Sequence, residues 1–212
     1  MTIVLMVRHG QNDYIGKRLA GRLPGVHLNN EGQRQAQTLA QALKELPITA
    51  IYSSPLERAI ETAQPLSEAK SLSVLINQAL LEVDFGEWTG MTQHEMESQP
   101  LWHIVQTNPS EMRFPGGESF SEAQERIRAG LDQIIMQHDT NEMIACFSHS
   151  DAIKLAITSV LNMSINTFQN LIINPASVSI LNFTTKRNDL VCTNWQPSLA
   201  GSLPPEILPA SP

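Results

Sequence analysis

The sequence predicts a three-layer α/β fold: a mostly parallel central sheet, helices on both faces, and an antiparallel edge strand. Three observations predict it. Short apolar runs alternate with amphipathic stretches along most of the 212 residues, the pattern of a sheet covered by crossover helices. The run Ile3-Val4-Leu5-Met6-Val7 has no polar alternation, as a strand buried on both faces requires. The last two apolar runs, joined by Lys186-Arg187-Asn188-Asp189, read as an antiparallel hairpin at one edge.

Strands are expected near 3–7, 50–53, 142–148, 177–183 and 190–195. A first helix is expected over 31–46, where Ala36, Leu39, Ala40, Leu43 and Leu46 share one face. Asn30 is its candidate cap, with Gln33 three residues on. Ser54-Pro55-Leu56-Glu57 reads as a capping box with proline in the first turn. Ser119-Phe120-Ser121-Glu122 is another, opening a helix with Ala123, Ile127, Leu131, Ile134 and Ile135 inward. A further helix, 151–161, begins at His149 or Ser150. Residues 84–118 break the alternation with Gly86, Gly90, Pro100, Pro109, Pro115, Gly116 and Gly117, and read as a lid-like insert. One domain over 1–195 is expected. The tail over 196–212 carries five prolines and reads as extended and flexible.

The formal net charge is -7, which argues against a nucleic-acid partner. It is compatible with an anionic small molecule held by a few local cations. Cys146 and Cys192 are too few to staple a domain of this size and read as reduced thiols. No signal-like segment opens the sequence, and no apolar run nears the ~20 residues of a membrane span. A cytoplasmic protein without a membrane partner is the expectation. The oligomeric state is open, with a homodimer as one option.

The chemistry lies at strand ends. Arg8-His9-Gly10 follows the first strand, Ser148-His149 another, and Ala50-Ile51-Tyr52 leads through Ser53-Ser54-Pro55 to Arg58. Ligands of open α/β sheets bind at the carboxyl ends of strands. Two histidines and two arginines can therefore meet at one sheet edge. A neutral imidazole attacks phosphorus when its lone pair is aimed, and Gly10 permits a tight turn that lets main chain hold the other ring nitrogen. Arg8 and Arg58 carry planar forks suited to phosphate oxygens, and a protonated His149 would add a cation. Glu82, between Leu81 and Val83, is the candidate proton donor, because a desolvated carboxyl stays protonated. Asp84 and Glu87 are its rivals. A metal reading of His9, His149 and Glu82 as two imidazoles and a carboxylate is opposed by two guanidinium groups in the same pocket.

Five motifs occur in order: Arg8-His9-Gly10; Ser53-Ser54-Pro55-Leu56-Glu57-Arg58-Ala59 with Thr62-Ala63; Glu82 with Gly86-Glu87-Trp88-Thr89-Gly90; Phe114-Pro115-Gly116-Gly117-Glu118-Ser119; and Ser148-His149. In this order they resemble the histidine phosphatase superfamily, the phosphoglycerate-mutase-like family. The stretch of Ala20-Gly21-Arg22 and Pro24-Gly25-Val26-His27-Leu28, with Ser148-His149-Ser150-Asp151, is similar to a bacterial branch often labelled probable phosphoglycerate mutase. The resemblance implies a phosphohistidine at His9, a phosphate pocket of Arg8, Arg58 and His149, Glu82 as proton donor, and no metal or other cofactor. Gln11, Asn12, Arg22 and Asp151 are further substrate-binding candidates.

Three positions depart from the family pattern. Asn12 replaces a threonine, Ile15 an asparagine, and Ser150-Asp151 a Gly-Gly pair. Asp151, in the first turn of its helix, is expected to cap that helix or to oppose a second anionic group on the ligand. It would also raise the pKa of His149. A metal-independent phosphomonoesterase acting on a small phosphorylated metabolite is the leading reading. A phosphoglycerate-type mutase and a catalytically weak phospho-ligand-binding protein are the alternatives. Sugar phosphates, nucleotide-type phosphates, phosphoglycerates and ribazole phosphate are all open as substrates.

Overall fold

The computed structural model of the chain describes residues 1–197. Six strands form one sheet: β1 (Thr2–Arg8), β2 (Ile48–Ser53), β3 (Val74–Ile76), β4 (Met143–Ser148), β5 (Val178–Phe183) and β6 (Asn188–Trp195), in the order β3-β2-β4-β1-β5-β6. Strands β3, β2, β4 and β1 run parallel. Strand β5 is antiparallel to β1, and β6 is antiparallel to β5. The expected sheet and its antiparallel edge are both present.

Side chains alternate across a strand, and β1 divides them between two cores. Ile3, Leu5 and Val7 face the layer of α1 (Asn30–Leu43) and α2 (Glu57–Lys70). Val4 and Met6 face the layer of α5 (Phe120–Met136) and α6 (Ser150–Val160). Val4 through Val7 are wholly buried, which accounts for the unbroken apolar run.

Several boundaries differ from expectation. The first helix is capped by Asn29, whose side chain accepts from Gly32 N, and it stops at Leu43. The box read at Ser54 is absent: α2 starts at Glu57 without a side-chain cap, and Ser54 is used elsewhere. Strand β3 was not visible as a strand. It has three residues, too few to show a period, and Leu75 and Ile76 are exposed. The Ser119 capping box forms as expected, with Glu122 returning the bond.

Residues 84–118 hold two short helices, α3 (Gln93–Glu97) and α4 (Trp102–Thr107), between single 3₁₀ turns. Phe85, Trp88, Val105, Met112 and Phe114 are buried and join the α5–α6 core. Trp88, Phe114, Phe120 and Phe168 pack in a chain of aromatic contacts with centroids 4.7–5.3 Å apart. The tail expected at 196–212 lies, from residue 198 onward, outside the described residues. Both cysteines are free thiols, and burial pushes Cys146 up to about 12. Among the described residues no helix is long and apolar enough to cross a membrane.

Candidate active site

Register places the site. Arg8 lies opposite Ser148 across β1–β4, and Ser53 lies opposite Phe147 across β2–β4. The next residue of each strand is then His9, His149 and Ser54, so all three leave the same edge together. His9 N donates to Ser148 O at 3.0 Å, and Ser54 N donates to Phe147 O at 2.9 Å. The His9 and His149 ring centroids lie 5.2 Å apart.

His9 is buried, and its Nδ1 lies 2.8 Å from Gly10 O. A carbonyl only accepts, so Nδ1 carries the proton. Burial, Arg58 and Arg8 hold the ring well below its ordinary pKa. The imidazole is therefore neutral, with its lone pair on Nε2. Gly10 serves this geometry by close packing rather than by a left-handed turn. A Cβ there would stand 2.8 Å from Gly32 O in the first turn of α1. Gly10 N donates to Thr62 Oγ1 at 2.9 Å, and that hydroxyl donates to Arg58 O at 2.6 Å. One side chain of α2 thus ties the turn after β1 to the backbone of Arg58.

Around His9 stand N–H groups with no protein partner. Arg8 Nε, Arg58 Nε and Nη1, Asn12 Nδ2 and His149 Nδ1 are all buried and unpaired. Burying so many polar groups unpaired costs about 1–3 kcal/mol each. An anion at this point would recover that cost. The remaining atoms of these residues are anchored. Arg8 Nη1 donates to Ile173 O and Arg58 Nη2 to Gly21 O at 2.6 Å. Asn12 Oδ1 accepts from Tyr14 N at 2.9 Å and Ile15 N at 3.2 Å, which points its amide nitrogen the other way. Arg8, His9, Asn12, Arg58, Glu82 and Asp151 line one cavity of ≈ 200 Å³.

His149 differs from expectation. Burial, Arg58, His9 and Arg8 push its pKa well down, and Asp151 is not among the causes. It is a neutral donor, not an added cation. Its Nε2 lies 2.7 Å from Ser54 Oγ, which accepts from Leu56 N at 3.4 Å. The Ser54 proton is then available to Nε2, which leaves the imidazole proton on the unpaired Nδ1.

The two histidines give a pH dependence of known sign. In the unfolded chain each titrates near 6.5, and in the fold each titrates well below. As pH falls below about 6.5 the unfolded state gains protons that the folded state refuses, so stability falls. Each histidine contributes a slope of about 1.4 kcal/mol per pH unit until its folded pKa is reached. Urea midpoints at pH 5.5 and 7.5 should differ less in His149→Asn than in the parent. Equal differences would contradict this.

Glu82 is buried at the start of α6. Its Oε1 accepts from Val83 N and Ala152 N, both at 3.0 Å, and Oε2 is 3.4 Å from Asp151 N. The carboxylate thus takes the first amides of α6, for which His149 provides no side-chain cap. The N-terminal end of α6 is thus already occupied by a carboxylate. Burial and Asp151 raise the Glu82 pKa, against the two amide bonds and Arg58. Oε1 accepts two amide bonds and Oε2 one longer one, so Oε2 is the oxygen freer to carry a proton.

Two of the substrate-binding candidates, Gln11 and Arg22, are not on the cavity wall. The main chain of Gln11 is tied to the start of α1: its N donates to Gln35 Oε1 at 2.8 Å and its O accepts from Asn29 N at 3.1 Å. Arg22 donates through Nε to Glu82 O at 2.8 Å and pairs with Glu118 at 2.9 Å and Asp84 at 3.4 Å. It braces the main chain at Glu82 and is off the cavity wall. Arg126 does the same from α5, reaching Ala79 O, Leu81 O, Glu82 O and Glu118. Asp84 accepts from Gly86 N at 3.0 Å and pairs with Arg22. Thr62, Ser54 and Arg126 bear on the site through their contacts. Ser54 and Thr62 stand in the second motif, which assigned them no role at the site, and Arg126 stands in none of the five.

The sequence model of the histidine phosphatase superfamily (branch 1) matches residues 4–196. The chain belongs to this superfamily. This histidine phosphatase is 30% identical to phosphoserine phosphatase 1 of Hydrogenobacter thermophilus, over 92% of either chain. It is 34% identical to a bifunctional protein of Mycobacterium tuberculosis over 86% of its own length, but spans 50% of that relative. A mycobacterial glucosyl-3-phosphoglycerate phosphatase, solved with VO₃, superimposes with a TM-score of 0.83 at 26% identity. That match covers 91% of this chain and 98% of the other.

Proposed function

We propose that this histidine phosphatase hydrolyses a small phosphate monoester through a phosphohistidine at His9. The observation that carries the reading is that Arg8, Asn12 and Arg58, each with a buried N–H that has no protein partner, line one cavity with the neutral imidazole of His9. In the first step His9 Nε2 attacks phosphorus. The bond to the ester oxygen breaks, and the departing alkoxide takes the proton of Glu82 Oε2. Arg8, Arg58, Asn12 and His149 Nδ1 donate to the phosphoryl oxygens, where charge is shared during transfer. In the second step water attacks the phosphohistidine, Glu82 accepts the water proton, and inorganic phosphate leaves. Asp151 lies on the cavity wall beside the leaving group.

No step needs a cation beyond the protein's own guanidinium groups. Among the described residues no group of three or more His, Cys, Asp and Glu side chains is placed to hold a metal ion. The test is hydrolysis of p-nitrophenyl phosphate by the purified protein before and after exhaustive chelation. Equal rates are expected. Loss of activity restored specifically by Zn²⁺ or Mn²⁺ would overturn the four-donor phosphate pocket. Absence of any hydrolysis would leave a phospho-ligand-binding protein. In a parallel assay, interconversion of 2- and 3-phosphoglycerate faster than their hydrolysis would move the reading to a phosphomutase.

A further inference from the structure

A second cavity of ≈ 210 Å³ adjoins the catalytic one, and Leu19, Phe85 and Asp151 belong to the walls of both. Beyond that shared wall Trp88, Met96, Trp102, Val105, Phe114 and Phe120 form an apolar side, and Gln106, Lys154 and Gln169 are its polar members. The Trp88 and Trp102 rings stand 6.4 Å apart at a 30° tilt. α4, which carries Trp102 and Val105, and α3, which carries Met96, belong to the segment that broke the strand–helix alternation. That segment supplies no phosphate-binding group. Near the site it contributes this apolar surface, together with the Asp84 and Glu118 carboxylates that hold Arg22 and Arg126.

The charges nearby are already paired. Besides Arg8 and Arg58, the basic side chains on the two walls are Arg18 and Lys154. Lys154 Nζ is 3.1 Å from Asp151 Oδ1 and lies over the Phe168 ring at 5.6 Å. Arg18 donates to Gly90 O at 2.9 Å and stands 4.0 Å from Glu95. Beyond the arginines that face the phosphate, a second carboxylate or phosphate on the leaving group would meet Asp151, with Lys154 already paired to it and Arg18 bonded to Gly90 O. An apolar body would meet a surface that gains by losing water.

We propose that the cavity of Leu19, Phe85, Trp88, Met96 and Trp102 receives the alcohol portion of the substrate, and that this portion is apolar, making the enzyme selective for monoesters of alkyl or aryl-alkyl alcohols over those bearing a second anionic group. The proposal rests on the phosphomonoesterase reading of the His9 site and assigns its substrate class.

An alkyl phosphate series tests it, because leaving-group basicity is nearly constant from ethyl to hexyl and only the buried surface changes. kcat/KM should rise about fourfold per methylene that enters the cavity, mainly through KM. Hexyl phosphate should exceed both 3-phosphoglycerate and phosphoserine. Trp102→Ala and, separately, Met96→Gln should flatten the series while leaving kcat/KM for ethyl phosphate within about twofold. The second variant covers loss of fold in the first. A flat series in the parent enzyme would overturn the proposal, as would 3-phosphoglycerate above hexyl phosphate. Phosphoserine above hexyl phosphate would overturn it too, and would assign the Asp151–Lys154 pair to a zwitterion. In each of these cases ethyl phosphate is still hydrolysed. If no ester is hydrolysed, the phosphomonoesterase reading itself fails.

Discussion

His9→Ala should lower kcat/KM for every phosphate ester by about three or more orders of magnitude, at least ≈ 4 kcal/mol of transition-state stabilisation. The size follows from the mechanism. The two-step route exists only if a nitrogen lone pair reaches phosphorus, and the Gly10 carbonyl bond leaves that lone pair on Nε2. The loss should fall on kcat, because Arg8, Arg58, Asn12 and His149 still hold the phosphate. Inorganic phosphate or vanadate should therefore still inhibit the residual activity or be seen to bind directly. His9→Ala is a large-to-small change at a buried position, so circular dichroism and urea midpoints should accompany the assay. A variant that is folded, binds phosphate and turns over at the parental rate would remove His9 from the chemistry.

Glu82→Gln should give the second largest effect, and its signature is dependence on the leaving group. Alkyl phosphates release a strongly basic alkoxide and should slow by about 10²–10⁴. p-Nitrophenyl phosphate, whose leaving group is stable without a proton, should lose much less in the transfer step. The pH profile provides a second reading. The raised pKa of Glu82 keeps the carboxyl protonated to higher pH than an ordinary glutamate. Activity toward alkyl phosphates should fall as pH rises through that value, and this alkaline limb should be missing in Glu82→Gln. Equal losses on both ester classes would assign Glu82 to capping α6 through Ala152 N and Asp151 N, and not to proton transfer.

Much of this arrangement was legible in the sequence because it lies at the ends of strands. His9 and His149 each follow an unbroken apolar run, so once those runs are neighbours in a parallel sheet their first loop residues must meet. Arg58 was legible as the arginine just beyond a third run. What register cannot say is which way a buried carboxyl is bonded. Glu82 is named by its apolar neighbours, yet its binding to the first amides of α6 depends on how α6 enters the sheet edge, 69 and 70 residues later. Local pattern also misassigned Ser54. Ser-Pro-x-Glu has the form of a helix cap, but the hydroxyl is taken by His149 across the sheet, and the helix starts later. Arg22 illustrates the opposite error. A cation near a phosphate site reads as a ligand, whereas here Glu118, Asp84 and Glu82 O claim it. Arg126 was not legible, because its partners come from two separate segments, 79–82 and Glu118, and no periodicity links them. The charge on His149 was misjudged for a related reason. Its sequence neighbour Asp151 suggested a raised pKa, whereas complete burial beside two guanidinium groups decides the opposite.

The covalent intermediate is the central claim, and direct trapping tests it. The enzyme should be mixed with a ³²P-labelled phosphate ester, quenched within the first turnover, and denatured in alkali, where a phosphohistidine survives. Peptide mapping should then find the label. The account predicts one acid-labile phosphoryl group per active site, on the peptide that holds Arg8-His9-Gly10, absent in His9→Ala. Turnover with no label during a resolved burst, or label on any residue other than His9, would contradict it.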